Sequence, residues 1–398
     1  MITRLKDLFY IKGYPLFVLC MLLLGVAISI TMPYLSLYST EELGMSAGAF
    51  GIFMAISSLS GVFVNSFIAK RSDNGMNRKV VILLAMISSA IGYASYLVFH
   101  NYFVLLLAVT FFNGLGAAAM PQIFAYSQES ANESNSDDKT FAMSTLRSLF
   151  SLGFLIGPLG GTLILVSFGY NGLFLGTAAM FLTIALLVFF FLQTRTYKKV
   201  SSIKKQNATP SLKGKQIRYP FIAFIFLLAV NTINGINTPL LIVNELHGSH
   251  EDVGLVASIC AGLEIPIMLI LGSMSKKVSN HTLMIVGCFI GIFYYIILSV
   301  STHPWQIITA QIIQAIFVAI VMGNGLSYFT DLLPESPGLS ATLYSNSSTI
   351  GRLFGSLGGG FFAQWVGFRY VNIICIALVV VSFFILWIVR PTQQKNSH

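Results

Sequence analysis

Long apolar runs, each separated from the next by a short polar segment, recur along the whole chain. A helix rises 1.5 Å per residue, so it needs about 20 mostly apolar residues to cross the roughly 30 Å core of a bilayer. The runs have this length and predict an all-α integral membrane protein with twelve transmembrane helices. The predicted spans are 14–35, 47–69, 80–99, 103–126, 141–167, 171–193, 219–241, 252–274, 281–300, 305–329, 339–365 and 369–389.

Composition supports this interpretation. The chain is 55% hydrophobic and only 9% charged, whereas a soluble domain carries about 25% charged residues. So few charges cannot cover a water-facing surface, so a lipid bilayer must be the solvent for most of the chain. The twelve predicted spans also leave no room for a separate soluble domain.

The net charge of +9 is distributed unevenly. If the N-terminus is inside the cell, 20 of the 23 Lys and Arg residues lie on the cytoplasmic side, eight of them between the sixth and seventh spans. The outer loops are acidic, with Glu41, Glu42, Glu245, Glu251 and Asp252. This asymmetry predicts that both termini are cytoplasmic. A basic loop held at anionic lipid explains the charge, and we expect no nucleic-acid partner.

The longest polar segment of the chain divides it into two halves that share one pattern of apolar runs. It predicts a six-helix bundle over 1–193, a basic cytoplasmic linker over 194–218, and a second six-helix bundle with a short cytoplasmic tail over 219–398. The string GFLIGPLGG at 153–161 aligns with GRLFGSLGG at 351–359. Glycines at i and i+4 let a neighbouring helix approach closely, and a proline favours a kink. The predicted helix-packing residues are Gly153, Gly157, Pro158, Gly351 and Gly355.

The turn after the second span, SDNGMNRK at 72–79, resembles the signature loop of the major facilitator superfamily. In that superfamily an acidic residue, a glycine and two basic residues latch the two halves on the cytoplasmic side. Carried over here, the latch is Asp73, Gly75, Arg78 and Lys79, with one extra residue before the basic pair. The alternative is an ordinary positively charged turn.

Four strings resemble the sugar efflux transporter family of that superfamily: PYLSLY at 33–38, SDNGMNRK at 72–79, PQIFAYSQE at 121–129 and STLRSLFSLGFLIGP at 144–158. The resemblance covers most of the first half. It implies export of neutral sugars, glycosides or related analogues, with protons moving inward. It also implies that spans one, four, seven and ten line a central cavity.

Uncharged amides occupy several of these lining spans. An amide carries a donor and an acceptor together, which suits a neutral solute rich in hydroxyl groups. The alternative is that these amides join one helix to another. The substrate-binding candidates are Asn113, Gln122, Asn231, Asn234, Asn237, Gln311 and Gln314.

Three ionisable residues fall inside predicted spans: Arg147, Glu264 and Arg352. A carboxyl near the bilayer midplane favours its protonated form and could load and release a proton near neutrality. Glu264 is therefore the proton-coupling candidate. Two alternatives are an ion pair with Arg147 or Arg352, or direct acceptance of a substrate hydrogen bond.

These features predict a secondary active transporter in the plasma membrane that acts by alternating access, as a monomer, on a sugar-like solute and protons. A proton-coupled multidrug exporter of the same fold is the first alternative, and a non-transporting membrane receptor is the second. The spans contain no nucleophile–base pair and no cluster of metal ligands, so we expect no enzyme, no metal and no cofactor.

Overall fold

The computed structural model describes residues 13–72, 77–133, 139–193, 214–274, 278–334 and 336–389. Within these ranges every regular element is a helix. In chain order the helices are α1 (Tyr14–Thr31), a 3-10 turn (Met32–Tyr34), α2 (Leu35–Glu41), α3 (Ala47–Ser72), α4 (Arg78–Val98), α5 (Tyr102–Gly116), α6 (Ala119–Glu133), α7 (Lys139–Phe191), α8 (Lys215–Leu240), a π-helix (Leu241–Glu245), α9 (His250–Met274), α10 (Asn280–Val300), α11 (Pro304–Val318), a second π-helix (Ala319–Gly323), α12 (Gly325–Leu332), α13 (Pro337–Val366) and α14 (Val371–Ile388).

Ten of the described helical segments are long and apolar enough to cross a membrane. One of them, Ala142–Phe191, is 50 residues long, about twice the length of a single span. Its backbone leaves helical geometry at Gly169, where φ is 65° and ψ is −170°. α13 has 30 residues but is not among the ten. The all-α membrane class agrees with the prediction, and the count of twelve spans stays a prediction.

The chain divides into two compact units. The first comprises Met1–Gly44 and Ile56–Lys205, and the second comprises Met45–Ala55 and Gln206–His398. The segment Met45–Ala55 belongs to the second of these units, and the division into two six-helix bundles with a linker stays a prediction. That segment groups with the second unit because a Cβ added at Gly51 would meet the backbone of Ser356 and Gly360. The predicted linker lies mostly outside the described residues, which resume at Gly214.

Glycines bring α1 and α7 together in the first unit. A Cβ added at Gly153 would lie 2.5 Å from the carbonyl oxygen of Leu22 and 2.7 Å from the amide nitrogen of Val26. One turn further along α7, Gly157 meets the Ser29 side chain. The Ser29 hydroxyl donates to the Gly153 carbonyl oxygen at 3.1 Å. The absence of a side chain at these positions therefore sets the distance between the two helices.

The equivalent glycines make the same kind of contact in the second unit, where α13 packs on α8. A Cβ at Gly351 would lie 2.8 Å from the Ile225 carbonyl oxygen, and one at Gly355 would lie 2.5 Å from the Ala229 carbonyl oxygen. Each unit thus joins its first long helix to its fifth predicted span by a glycine face. The repeated sequence string corresponds to a repeated helix contact.

Large apolar side chains are exposed along the outside of both units. Leu163, Phe168, Leu269 and Trp365 are between 71% and 81% exposed. Exposure of so much apolar surface to water would be unfavourable in free energy, whereas lipid tails solvate it. This surface is that of a multi-pass membrane protein.

Candidate functional site

A line of polar side chains follows one side of α8 in the second unit. Asn231, Asn234 and Thr238 are spaced by three and four residues, which places them on neighbouring faces of a helix. The Oδ1 atom of Asn234 accepts hydrogen bonds from Thr238 at 2.9 Å and from the Tyr294 hydroxyl at 3.1 Å. Within the described ranges its amide nitrogen has no hydrogen-bond partner. This amide therefore keeps donor capacity for a ligand.

Tyr294 extends the cluster from α8 to two further helices. It lies on α10, is fully buried, and its hydroxyl receives a hydrogen bond from the Gln311 side chain of α11 at 3.4 Å. Gln311 also donates to the Ile307 carbonyl oxygen at 3.0 Å. One chain of hydrogen bonds through Asn234, Tyr294 and Gln311 thus joins α8, α10 and α11. Tyr294 and Gln311 are buried, so the surrounding side chains hold them in place.

Asn237 and Gln314 lie deeper in the second unit. Asn237 is 1% exposed and its side chain donates to the Phe368 carbonyl oxygen at 2.7 Å. The Oδ1 atom of Asn237 and the Oε1 atom of Gln314 are buried and have no partner among the residues that the structure describes. Buried acceptors are normally satisfied by a partner or by water. Both amides could accept a hydrogen bond from a hydroxyl group that reached them.

A shallower group of polar atoms surrounds the π-helix Ala319–Gly323. The Asn231 side chain donates to the Met322 sulfur at 3.6 Å, and the Tyr344 hydroxyl of α13 donates to the Met322 carbonyl oxygen at 3.1 Å. Met268 of α9 packs against Gly323 on the same segment. π-helices are often found at functional sites. Here Asn231 and Tyr344 both contact Met322 of the π-helix.

Glu264 and Arg352 carry the charges near this group. Glu264 is half-buried on α9, one turn before Met268, and Arg352 is exposed on α13. Tyr344 interacts electrostatically with both of them. Within the described ranges neither charge takes part in an ion pair, either with the other or with Arg147. The candidate site of the second unit therefore combines amides, a phenol, a carboxyl and a guanidinium.

Sequence candidates of the first unit occupy two different places. The Oδ1 atom of Asn113 is buried without a partner in the described part of the chain. It lies where a Cβ of Gly92 would be, so it points towards α4. Gln122 of α6 is 6% exposed and accepts a hydrogen bond from Arg78 at 2.8 Å. Neither amide is part of the second unit's cluster.

Arg78 is the centre of a charged group where α4 begins. Its Nε and Nη2 atoms donate to one carboxylate oxygen of Glu129 at 2.9 and 2.7 Å. The neighbouring Lys79 ammonium donates to the Phe189 carbonyl oxygen at 2.8 Å and lies 5.7 Å from the Phe189 ring. Asp73 and Gly75, the other predicted latch residues, lie outside the described residues. The basic pair thus ties the start of α4 to α6 and to the end of α7.

We expect both Asp73→Asn and Arg78→Gln to lower the transport rate strongly without loss of inserted protein. In the latch hypothesis these charges set the balance between conformations rather than hold substrate, and Arg78→Gln would leave the half-buried Glu129 without this partner. Transport of a fixed substrate and the amount of membrane-inserted protein would both be measured. The control is Arg218→Gln, which neutralises an exposed cation of α8. Unchanged transport kinetics in both test variants would contradict the latch.

Several residues of these groups are not apparent from the sequence. Glu129 follows an amphipathic stretch and is typical of a solvated loop, yet it pairs with Arg78. Tyr294 and Tyr344 are aromatic residues in apolar spans, which usually contribute packing. A polar tip inside a span normally finds a hydrogen-bond partner. That rule could have identified both tyrosines.

The comparisons with known proteins agree with this architecture. The chain matches the family profile described as Major Facilitator Superfamily over residues 17–301 and 221–398. It is 29% identical to sugar efflux transporter B of Salmonella typhimurium, over 93% of this chain and 94% of that protein. It is 30% identical to sugar efflux transporter C of Escherichia coli, over 91% of this chain and 95% of that protein.

A solved structure gives the same fold. The crystal structure of the nucleoside transporter NupG superimposes with a TM-score of 0.80 over 94% of this chain and 98% of that one, at 15% sequence identity. At this identity the likeness concerns the fold alone. The family match, the two relatives and the helical architecture lead to one conclusion: the chain belongs to the major facilitator superfamily and is a multi-pass membrane transporter.

Proposed function

We propose that this transporter exports neutral sugars, glycosides or similar hydroxyl-rich solutes in exchange for protons, by alternating access. The observation that carries the proposal is a cluster of uncharged polar side chains in the second unit, formed by Asn231, Asn234 and Tyr344. Among the residues that the structure describes, the amide nitrogen of Asn234 has no partner and that of Asn231 donates only to the Met322 sulfur. The Tyr344 hydroxyl donates to the carbonyl oxygen of the same Met322. Such a set can both donate to and accept from sugar hydroxyl groups.

The names of the sugar efflux relatives support the same solute class, since each relative is similar over more than nine-tenths of this chain. Glu264 lies next to the cluster and has no ion-pair partner in the described ranges. We assign it the coupling proton, so that protonation and solute binding would compete or alternate within one region. Both termini are cytoplasmic in this proposal, and protons move inward down their electrochemical gradient as the solute is exported.

Counterflow in proteoliposomes tests the solute class. Labelled neutral sugars should exchange across the membrane, whereas labelled lipophilic drugs should not. Asn231→Leu should weaken the apparent sugar affinity by about two- to twelvefold, because one hydrogen bond of about 0.5–1.5 kcal/mol is lost. The matched control is Asn171→Leu, which makes the same change at an exposed amide of α7 outside the cluster.

Two results would contradict the proposal. Exchange of drugs without exchange of any neutral sugar would indicate the multidrug alternative. Exchange of neither class, by protein shown to be folded and inserted, would favour a receptor that does not transport.

A further inference from the structure

A cavity of about 440 Å³ opens between α6 and α7 in the first unit. Ligand pockets typically enclose about 300–1,000 Å³, so this cavity is large enough for a small molecule. It does not involve the amide cluster of the second unit. Its lining residues are Met120, Pro121, Phe124, Arg147, Phe150 and Ser151.

Helical spacing explains why these side chains share one cavity. Met120 and Phe124 are four residues apart on α6, and Arg147 and Ser151 are four residues apart on α7, so each pair lies on one helix face. Gln122 of α6 is buried on a different side of that helix, where it contacts Arg78. The face with Met120 and Phe124 is therefore left to form a wall of the cavity.

Arg147 is the unusual member of this lining. It lies within the candidate span Ala142–Phe191 and is exposed in the cavity. Its guanidinium carbon lies 5.7 Å from the centre of the Phe124 ring. Within the described ranges no carboxylate pairs with it. A cation–π contact offsets only part of the cost of a charge in a membrane span. The site is thus suited to an anion.

The other side chains restrict the shape of that anion. A guanidinium binds a carboxylate through two parallel hydrogen bonds. The rings of Phe124 and Phe150 offer flat apolar surfaces, and the Ser151 hydroxyl can donate or accept one hydrogen bond. A compact ring that carries one carboxylate and several hydroxyl groups matches all three features. An extended apolar drug would leave the guanidinium unpaired.

We infer that this cavity binds acidic sugars, with the sugar carboxylate on Arg147 and the sugar ring against Phe124 and Phe150. The solutes recognised by the protein would then include sugar acids. The inference does not depend on the proposed export of neutral sugars, since it concerns other residues and is tested by binding alone.

The test compares glucuronate with glucose, which have the same ring and differ in the carboxylate. Binding is measured by calorimetry on the full chain in nanodiscs of phosphatidylcholine, a lipid with no net charge. Glucuronate should bind, and Arg147→Gln should weaken its binding about tenfold or more, as expected when a charged hydrogen-bonded pair is lost. Arg147→Lys keeps the charge and should restore part of the affinity. Arg218→Gln is the control and should leave glucuronate binding unchanged.

A second variant guards against misfolding of Arg147→Gln. Phe124→Leu keeps the charge but removes the ring, and it should weaken glucuronate binding several-fold. An anionic lipid headgroup could also bind the Arg147 guanidinium. Thermal unfolding is therefore also measured with phosphatidylglycerol, an anionic lipid, added to the nanodiscs. Equal glucuronate binding in wild type, Arg147→Gln and Phe124→Leu would overturn the inference. A lack of glucuronate binding to the wild type would also overturn the inference. If, in addition, phosphatidylglycerol stabilised the wild type but not Arg147→Gln, the cavity would be a site for a lipid headgroup and not for an acidic sugar.

Discussion

Glu264→Gln is expected to abolish uphill export driven by a proton gradient and to leave exchange of labelled for unlabelled solute nearly intact. Glutamine keeps the shape and hydrogen-bonding capacity of the side chain but cannot gain or lose a proton. Exchange needs the binding site and the conformational change, but no net movement of protons. Both processes can be measured on the same proteoliposomes, with and without an imposed pH gradient.

The structure sharpens the choice between the three roles open to Glu264. Loss of one partner from a buried ion pair costs about 3–5 kcal/mol, so a structural pair would make Glu264→Gln scarce or unfolded. No such pair of Glu264 is present among the described residues. Direct substrate contact predicts a weaker apparent affinity in exchange as well as in export. Only proton coupling separates the two processes.

Glu251→Gln is the matched control for this experiment. Glu251 lies on the same helix, α9, but is exposed in its first turn. Its neutralisation should leave both export and exchange unchanged. Uphill export at the wild-type level in well-expressed Glu264→Gln protein would exclude the coupling role.

The features that the sequence predicts best are those set by backbone geometry and solvent. Apolar runs of sufficient length must be helical in lipid, since every backbone polar group needs an internal partner. The repeated string with Gly153 and Gly351 predicts close helix contacts because only a missing side chain allows backbones to approach so closely. These rules are local, so one sequence is enough to apply them.

The composition of the candidate site depends on contacts between distant residues and is harder to predict. Asn234 could be recognised as a polar residue in a span, but its bond to Tyr294 joins positions 60 residues apart. The pairing of Arg78 with Glu129 likewise depends on how α4 meets α6. Met322 accepts hydrogen bonds from Asn231 and Tyr344 within a π-helix. No residue pattern in the sequence predicts that π-helix.

The helix contacts around the glycines lead to the second large expected effect. Gly153→Ala should destabilise the first unit by about 1–3 kcal/mol, the usual range for an overfilled interior, and should reduce transport sharply. The added Cβ would lie 2.5 Å from the Leu22 carbonyl oxygen and 2.7 Å from the Val26 amide nitrogen. Both atoms are backbone atoms of α1, so the clash cannot be relieved by a side-chain rotation and the helices must separate. The thermal unfolding midpoint of purified protein and the counterflow rate would be measured together.

Gly160→Ala is the matched control, because it makes the same chemical change seven residues further along α7. Apart from the adjoining residues and the local backbone of α7, a Cβ at Gly160 would meet no heavy atom within 4 Å among the described residues. Alanine also favours the helix over glycine by up to about 1 kcal/mol, so Gly160→Ala should be neutral or slightly stabilising. Gly355→Ala should behave like Gly153→Ala, since its Cβ would lie 2.5 Å from the Ala229 carbonyl oxygen. If Gly153→Ala and Gly355→Ala unfolded at the same temperature as Gly160→Ala, the glycine faces would not be what holds each first helix to its partner.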